Sequence, residues 1–432
     1  MKTKPGTAPF SYWLLSFGGW WREIWSERKS RLPIAPAVIG LILMLAVGAL
    51  ASAKYKVLYG FKGGSDGGGL FGSVTLDANG NLYGGTVGGG DGGGTIFELM
   101  PGSRGWTKSV VYGLDYHSDG GNPSGGLVFD AESNLYGTTS SGGPLDFGTV
   151  FQLTPGSGGW SLNVLMDYGS TAGLTMDAAG NLYGASGDIV FELTPGSNGW
   201  SEKVLYTFGT KKGDGGITDA AMIVDASGNL YGTTQAGGNR GPWCSGGGGC
   251  GVVFEVSPAS HGSWKEHIPH RFAAFRYDGQ YAVGGVVMDA AGNLYGTTIE
   301  GGTHRNEGIC LVGCGTIYRL TPDSKGHWKE TILYNFPHLK DGVGPTASLV
   351  FDKAGNLYGI AGEGGNACGC GVVFKLSPRG HGKWKYTVVH RFDGKDGNAP
   401  FAPLTIDGKG NLYGTTTFGG QGGYGVVFEI TP

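Results

Sequence analysis

Residues 348–359, Ser-Leu-Val-Phe-Asp-Lys-Ala-Gly-Asn-Leu-Tyr-Gly, carry the pattern that decides how this chain folds. A short apolar run ends at Asp352. Ala354-Gly355-Asn356 then forms a tight reversal, because glycine and asparagine tolerate positive φ. Leu357-Tyr358-Gly359 opens a second extended run. The core Asp-x-x-x-Asn-Leu-Tyr-Gly recurs at Asp77, Asp130, Asp177, Asp225, Asp289, Asp352 and Asp407, at spacings of 53, 47, 48, 64, 63 and 55 residues. Those periods suit propeller blades and are too long for the coils of a hexapeptide β-helix.

Outward from that core, each copy holds four strand signals. The first is the apolar run into Asp, as in Ser348–Asp352, and the second is Leu-Tyr-Gly-Thr-Thr, as at Leu230–Thr234. A Gly-Gly loop leads to the third, such as Gly148–Pro155. A Pro-Gly hairpin then leads to the fourth, such as Trp200–Phe208. Four short strands make one propeller blade.

The repeat opens with Lys56–Phe61, a fourth strand with no first three before it, and stops at Val426–Pro432, a third strand with no fourth after it. The sequence therefore predicts an all-β, seven-bladed β-propeller of four-stranded blades, closed by the N-terminal strand completing the last blade. Closure removes the open edges that a stack of blades would expose. Copy three is degenerate, since Gly184 runs through Ala185-Ser186-Gly187 almost directly into Asp188-Ile189-Val190-Phe191.

Composition agrees. The chain has 89 glycines among 432 residues, far above a usual share of about 7%. Aromatics at 12% and charged residues at 15% fit short strands joined by tight turns instead of disorder.

Residues 1–53 stand apart from the predicted propeller at 54–432. Lys2, Lys4, Arg22, Arg28, Lys29 and Arg31 against Glu23 and Glu27 leave a local charge of +4, followed by the uncharged apolar run Ala37–Ala51 and then Ala51-Ser52-Ala53. That order reads as a secretory signal peptide. Trp13, Trp20, Trp21 and Trp25 favour a membrane interface, so an uncleaved transmembrane anchor is the alternative. Either way the propeller is expected outside the cytoplasm, secreted or anchored, with membrane contact only through 1–53. Taking +4 from the net −3 leaves −7 on the repeat region, which speaks against nucleic acid as a partner.

The combination of Asn-Leu-Tyr-Gly-Thr-Thr, Gly-Gly, Gly-Thr-Val-Phe-Glu-Leu-x-Pro and Trp-x-x-x-Val-Leu-Tyr-x-Phe resembles the GloVer tandem repeat of bacterial choice-of-anchor proteins. The resemblance covers essentially all of 54–432. It implies export, attachment to the envelope by differing anchors or release, and no agreed biochemical activity. The repeat region ends at Pro432 with no sorting tail after it, so the expected anchor is the N-terminal segment.

Six cysteines fall in pairs, Cys244/Cys250, Cys310/Cys314 and Cys368/Cys370, each in the loop between second and third strands of copies four, five and six. In an oxidising compartment they are expected as disulfides. Three local staples are the simplest pairing. The close spacing of Cys368 and Cys370 leaves pairing across blades open, and the spacings miss the usual zinc patterns.

The repeated Asp-x-x-Gly-Asn could suggest calcium, but its alternate positions are mostly Ala or Ser and an Asx-type turn explains it. A second recurring Asp-Gly, at Asp66, Asp119, Asp214, Asp278, Asp341 and Asp396, sits in the connection to the next blade. It too reads as a turn. His270 and His390 take the place of Tyr206 and Tyr334, as substituted packing residues. The non-repeated loop residues Arg240, Trp243, His304, Arg305 and Glu307 are the expected ligand-binding positions. Neither a catalytic set, a cofactor motif nor a metal motif appears, so no cofactor is expected. The leading expectation is a binding or scaffold propeller for a glycan or an envelope protein. The alternative is an extracellular lyase or hydrolase on saccharides or small cyclic compounds, with His304 and Glu307 as acid/base groups.

Overall fold

A computed structural model describes residues 53–432 except 171, 219, 240–243, 245–247, 274–277 and 305–309. Seven four-stranded antiparallel sheets follow one another around a ring, one per copy of the repeat. Blade 6 is representative, with strands Val350–Phe351, Leu357–Ala361, Val372–Pro378 and Trp384–Arg391. The last blade joins Thr405–Ile406, Leu412–Thr416 and Val426–Thr431 to Lys54–Gly60. Lys54 pairs with Thr431 and Gly60 with Val426, so the N-terminal strand closes the ring as the sequence predicts.

The first strand of blade 6 is shorter than the apolar run suggested. Ladder pairing is confined to Val350 with Tyr358 and Phe351 with Leu357. Of the residues before it, Thr346, Ala347 and Ser348 line a central cavity, whereas Leu349 is buried in the core between blades 5 and 6. Copy three closes its second hairpin with Ser186 facing Ile189, which accounts for its missing loop.

A single blade is one sheet and has no interior of its own, so the core lies between blades. Each of the seven apolar clusters draws on two neighbours, such as Tyr136 and Val150 of blade 2 with Leu182 and Phe191 of blade 3. Third strands are covered on both faces, which is why Val426, Val427 and Phe428 are all fully buried in sequence. The motif tyrosine packs on the tryptophan of the next blade, with Tyr136 and Trp200 rings 5.6 Å apart. Threonines of the second strands stitch the ring further, Thr138 donating to the Ala172 carbonyl and Thr415 to that of Gly72.

The repeated aspartate is the hub of the turn between first and second strands. Asp407 Oδ1 accepts the N–H groups of Lys409 and Asn411, and Oδ2 accepts from Asn411 Nδ2 and Tyr413 Oη. The same four bonds recur at Asp289. Those donors take up the lone pairs that a cation would need. Burial works to raise the pKa of Asp289 and Asp407, yet the hydrogen bonds, led by that of the asparagine side chain, outweigh it and hold both below the ordinary carboxylate range.

Candidate functional site

The two rims of the ring differ in chemistry. One carries the aspartate turns and the third-to-fourth hairpins. The other gathers the loops between second and third strands with the connections to the next blade, which pair with each other at Val343 with Glu363 and Asn398 with Phe418. Apart from three fourth-strand valines, every exposed large apolar side chain among the described residues lies on this second rim. They include Phe71, Phe147, Tyr168, Leu311, Phe418 and Tyr424. Phe147 and Tyr168 stack in parallel with centroids 5.4 Å apart.

The three disulfides, Cys244–Cys250, Cys310–Cys314 and Cys368–Cys370, staple loops on this rim. All three are local, so pairing across blades is not used. They are the chemistry of an oxidising, extracytoplasmic compartment. Among the described residues no helix is long and apolar enough to cross a membrane. The apolar run Ala37–Ala51 lies outside those residues, as does the whole of the expected signal or anchor segment save Ala53.

At the centre, a cavity of 360 Å³ takes its lining from all seven blades, from Phe71 and Ser73 to Phe401 and Pro403. No described residue of that lining is titratable. Beside it lies a second hollow of 500 Å³, walled by Leu311, Val312, Val343 and Phe401, with Glu300 and Glu363 at its edge. Glu300 is held in place by Gln280 Nε2 at 2.6 Å. The Cys310–Cys314 staple fixes the loop that supplies Leu311.

Of the residues expected to bind ligand, His304 is exposed in the stapled loop of blade 5. Arg240, Trp243, Arg305 and Glu307 lie outside the described residues. The hollow instead uses Glu300, Glu363 and Phe401, which sequence reading passed over because each sits close to regular repeat positions.

A second set of polar groups recurs between blades. The residue six after the fourth-strand tryptophan meets the Asp-Gly aspartate and the residue two after the tryptophan of the next blade. Tyr206 Oη donates to Asp214 at 3.2 Å and to Glu266 at 2.8 Å. Tyr59 Oη donates to Asp66, which also binds Lys108 Nζ at 3.0 Å. His390 Nε2 lies 2.8 Å from Asp396, and His270 Nε2 lies 3.3 Å from Asp278 and 3.7 Å from Glu330. His270 and His390 are thus polar clamps as well as packing residues, His390 stacking on Tyr55 and His270 meeting Phe272 edge-on. Blade 2 has Met166 at this place, and its connection carries no Asp-Gly; the two halves of the clamp are lost together.

Burial opposes charging of His270, but the bond to Asp278 and the charges of Glu330 and Asp278 outweigh it and raise its pKa. Glu330 is pushed up to about 7, mainly by burial and further by Asp278, with His270 opposing.

Fold and site together define a disulfide-stapled, seven-bladed β-propeller with an apolar, aromatic-bearing rim. The Gloeobacter/Verrucomicrobia repeat matches residues 47–241 and 245–432, and the chain belongs to that family. No curated protein matches it. Among solved structures it is similar to an ancestral GH74 enzyme, at 11% identity and TM-score 0.51, over 83% of this chain and 47% of that one. The chain therefore spans about half the length of that enzyme. It is also similar to the PQQ-bound aldose sugar dehydrogenase of Streptomyces coelicolor, at 12% identity and TM-score 0.45, over 88% of this chain and 98% of that one. Likeness at this level of identity concerns the fold.

Proposed function

We propose that this propeller is an extracytoplasmic saccharide-binding module, engaging its ligand on the rim that carries the stapled loops. The confinement of exposed rings to that rim carries the reading. Aromatic faces stack on the C–H faces of sugars, and fixed carboxylates accept their hydroxyls. Phe147 with Tyr168 supplies a flat platform, and the hollow beside Phe401 places Glu300 and Glu363 next to apolar walls. A central cavity lined by small and apolar groups fits binding better than proton-transfer chemistry.

Retention of the full chain on a panel of insoluble and immobilised polysaccharides tests this. Retention of the wild type is expected on at least one, falling at least tenfold in a Phe147→Ala/Tyr168→Ala variant and in a Glu300→Gln/Glu363→Gln variant that melt like the wild type. Reductant is expected to weaken retention by releasing the loop that carries Leu311. No retention on any polysaccharide, or unchanged retention in both variants, would overturn the proposal. So would turnover of the bound saccharide, which would make the protein a hydrolase or lyase.

A further inference from the structure

We propose that the junction of blades 4 and 5 binds one divalent first-row transition cation through His270 Nε2 and one carboxylate oxygen each of Asp278 and Glu330. Each residue offers one donor atom, and the three donors lie within 4.8 Å of one another. Donors about 2.1 Å from a metal in a tetrahedral array sit about 3.4 Å apart. The separations from Nε2, 3.3 Å to Asp278 and 3.7 Å to Glu330, are close to that. The carboxylate oxygens of Asp278 and Glu330 lie within 4.8 Å of each other, so closing on an ion draws them together by at most about 1.4 Å.

The donor chemistry selects the class of ion. One imidazole with two carboxylates suits zinc, manganese or ferrous iron better than calcium, which takes an all-oxygen shell. Once protons are released to the incoming ion, two carboxylates and a neutral imidazole carry the charge that a divalent ion cancels. Glu330 Oε1 is buried with no hydrogen-bond partner, as is Oε1 of its counterpart Glu266, but only Glu330 Oε1 has an imidazole nitrogen beside it, at 3.7 Å. A cation beside His270 Nε2 would satisfy it. The side chains of His270, Asp278 and Glu330 remain 16–19% exposed, enough for an ion to enter and keep water on its open positions.

The other junctions show what the repeat does when it builds only a clamp. Between blades 3 and 4 a phenol, Tyr206, bridges the two carboxylates. Between blades 7 and 1 the cation is built in, as Lys108. Between blades 6 and 7 the ring of Tyr55 stacks on His390 where Glu330 would stand. Among the described residues, the blade 4–5 junction alone joins an imidazole to two carboxylates.

The test uses the full chain, purified without a histidine tag and stripped with EDTA, then titrated with zinc chloride and weighed by native mass spectrometry. One zinc per chain is expected, with a rise in melting temperature. His270→Tyr installs the residue that blades 3 and 5 already use, and Glu330→Gln removes one charged donor with little change of shape. Both are expected to melt like the stripped wild type and to bind zinc at least tenfold more weakly. X-ray absorption of the loaded wild type is expected to show one imidazole among oxygen donors, a readout that needs no variant to fold. Absence of a stoichiometric zinc, unchanged affinity in either variant, or a spectrum without imidazole would each overturn the proposal.

Discussion

Tyr55 of the first strand stacks on His390 of blade 6, with ring centroids 3.8 Å apart and planes within 5° of parallel. Its hydroxyl donates to the Asp396 carbonyl at 2.6 Å. Residues from opposite ends of the repeat region thereby meet, and the ring is locked one blade beyond the strand pairing that closes it. Tyr55→Ala should therefore destabilise the propeller by about 2–4 kcal/mol, and Tyr55→Phe by about 1 kcal/mol. Urea unfolding followed by tryptophan fluorescence measures both. An unchanged midpoint for Tyr55→Ala would show that the first strand contributes little to closure.

Tyr318 stands where the other blades have Phe97, Phe151, Phe191, Phe254, Phe374 and Phe428. Its ring is fully buried, and its hydroxyl finds no hydrogen-bond partner. Burial first, then the charges of Glu330 and Asp278, push its pKa upward. Tyr318→Phe restores the residue of the repeat and removes an unmet donor, so stability should rise by about 1 kcal/mol. A loss of stability would mean that the hydroxyl is satisfied in solution.

Ser133 adopts φ 68° at the turn position where the other copies use glycine at φ 77° to 91°. The left-handed conformation costs a residue with a Cβ about 1–2 kcal/mol. Ser133→Gly should therefore be neutral to stabilising by up to about 1 kcal/mol, the glycine's extra unfolded-state entropy offsetting part of the gain. Denaturant midpoints decide it, and a clear loss would show that the serine side chain carries weight in blade 2.

Burial, with Asp214 beside it and Tyr206 opposing, pushes Glu266 from 4.5 up to about 7. A carboxyl that binds its proton more tightly when folded favours the fold below its unfolded pKa. That advantage fades as pH rises from about 4.5 towards 7. Glu266→Gln fixes the neutral form, so it should flatten the decline of stability across this window and make the protein more stable than wild type above it. Melting temperatures of both proteins across the range test the sign. Parallel curves would mean that Glu266 ionises normally.

The Asp-x-x-x-Asn-Leu-Tyr-Gly pattern and the strand signals around it determined the number of blades, their four strands and the closing role of the strand read at Lys56–Phe61. Those features depend on local turns and on a period, and both are written along the chain. The local cysteine pairs were legible for the same reason. Contacts between blades were not. His270, Asp278 and Glu330 come from the end of one fourth strand, a connection and the start of the next fourth strand, the first and last 60 positions apart. Period alone shows which positions are equivalent, not which of them face each other across a junction. Tyr206 with Glu266 and Tyr55 with His390 were hidden in the same way. That the loops carrying Phe147, Tyr168, Leu311 and Tyr424 share one rim follows from strand order, because antiparallel strands send alternate connections to opposite faces; that these side chains stand exposed there needed the tertiary structure.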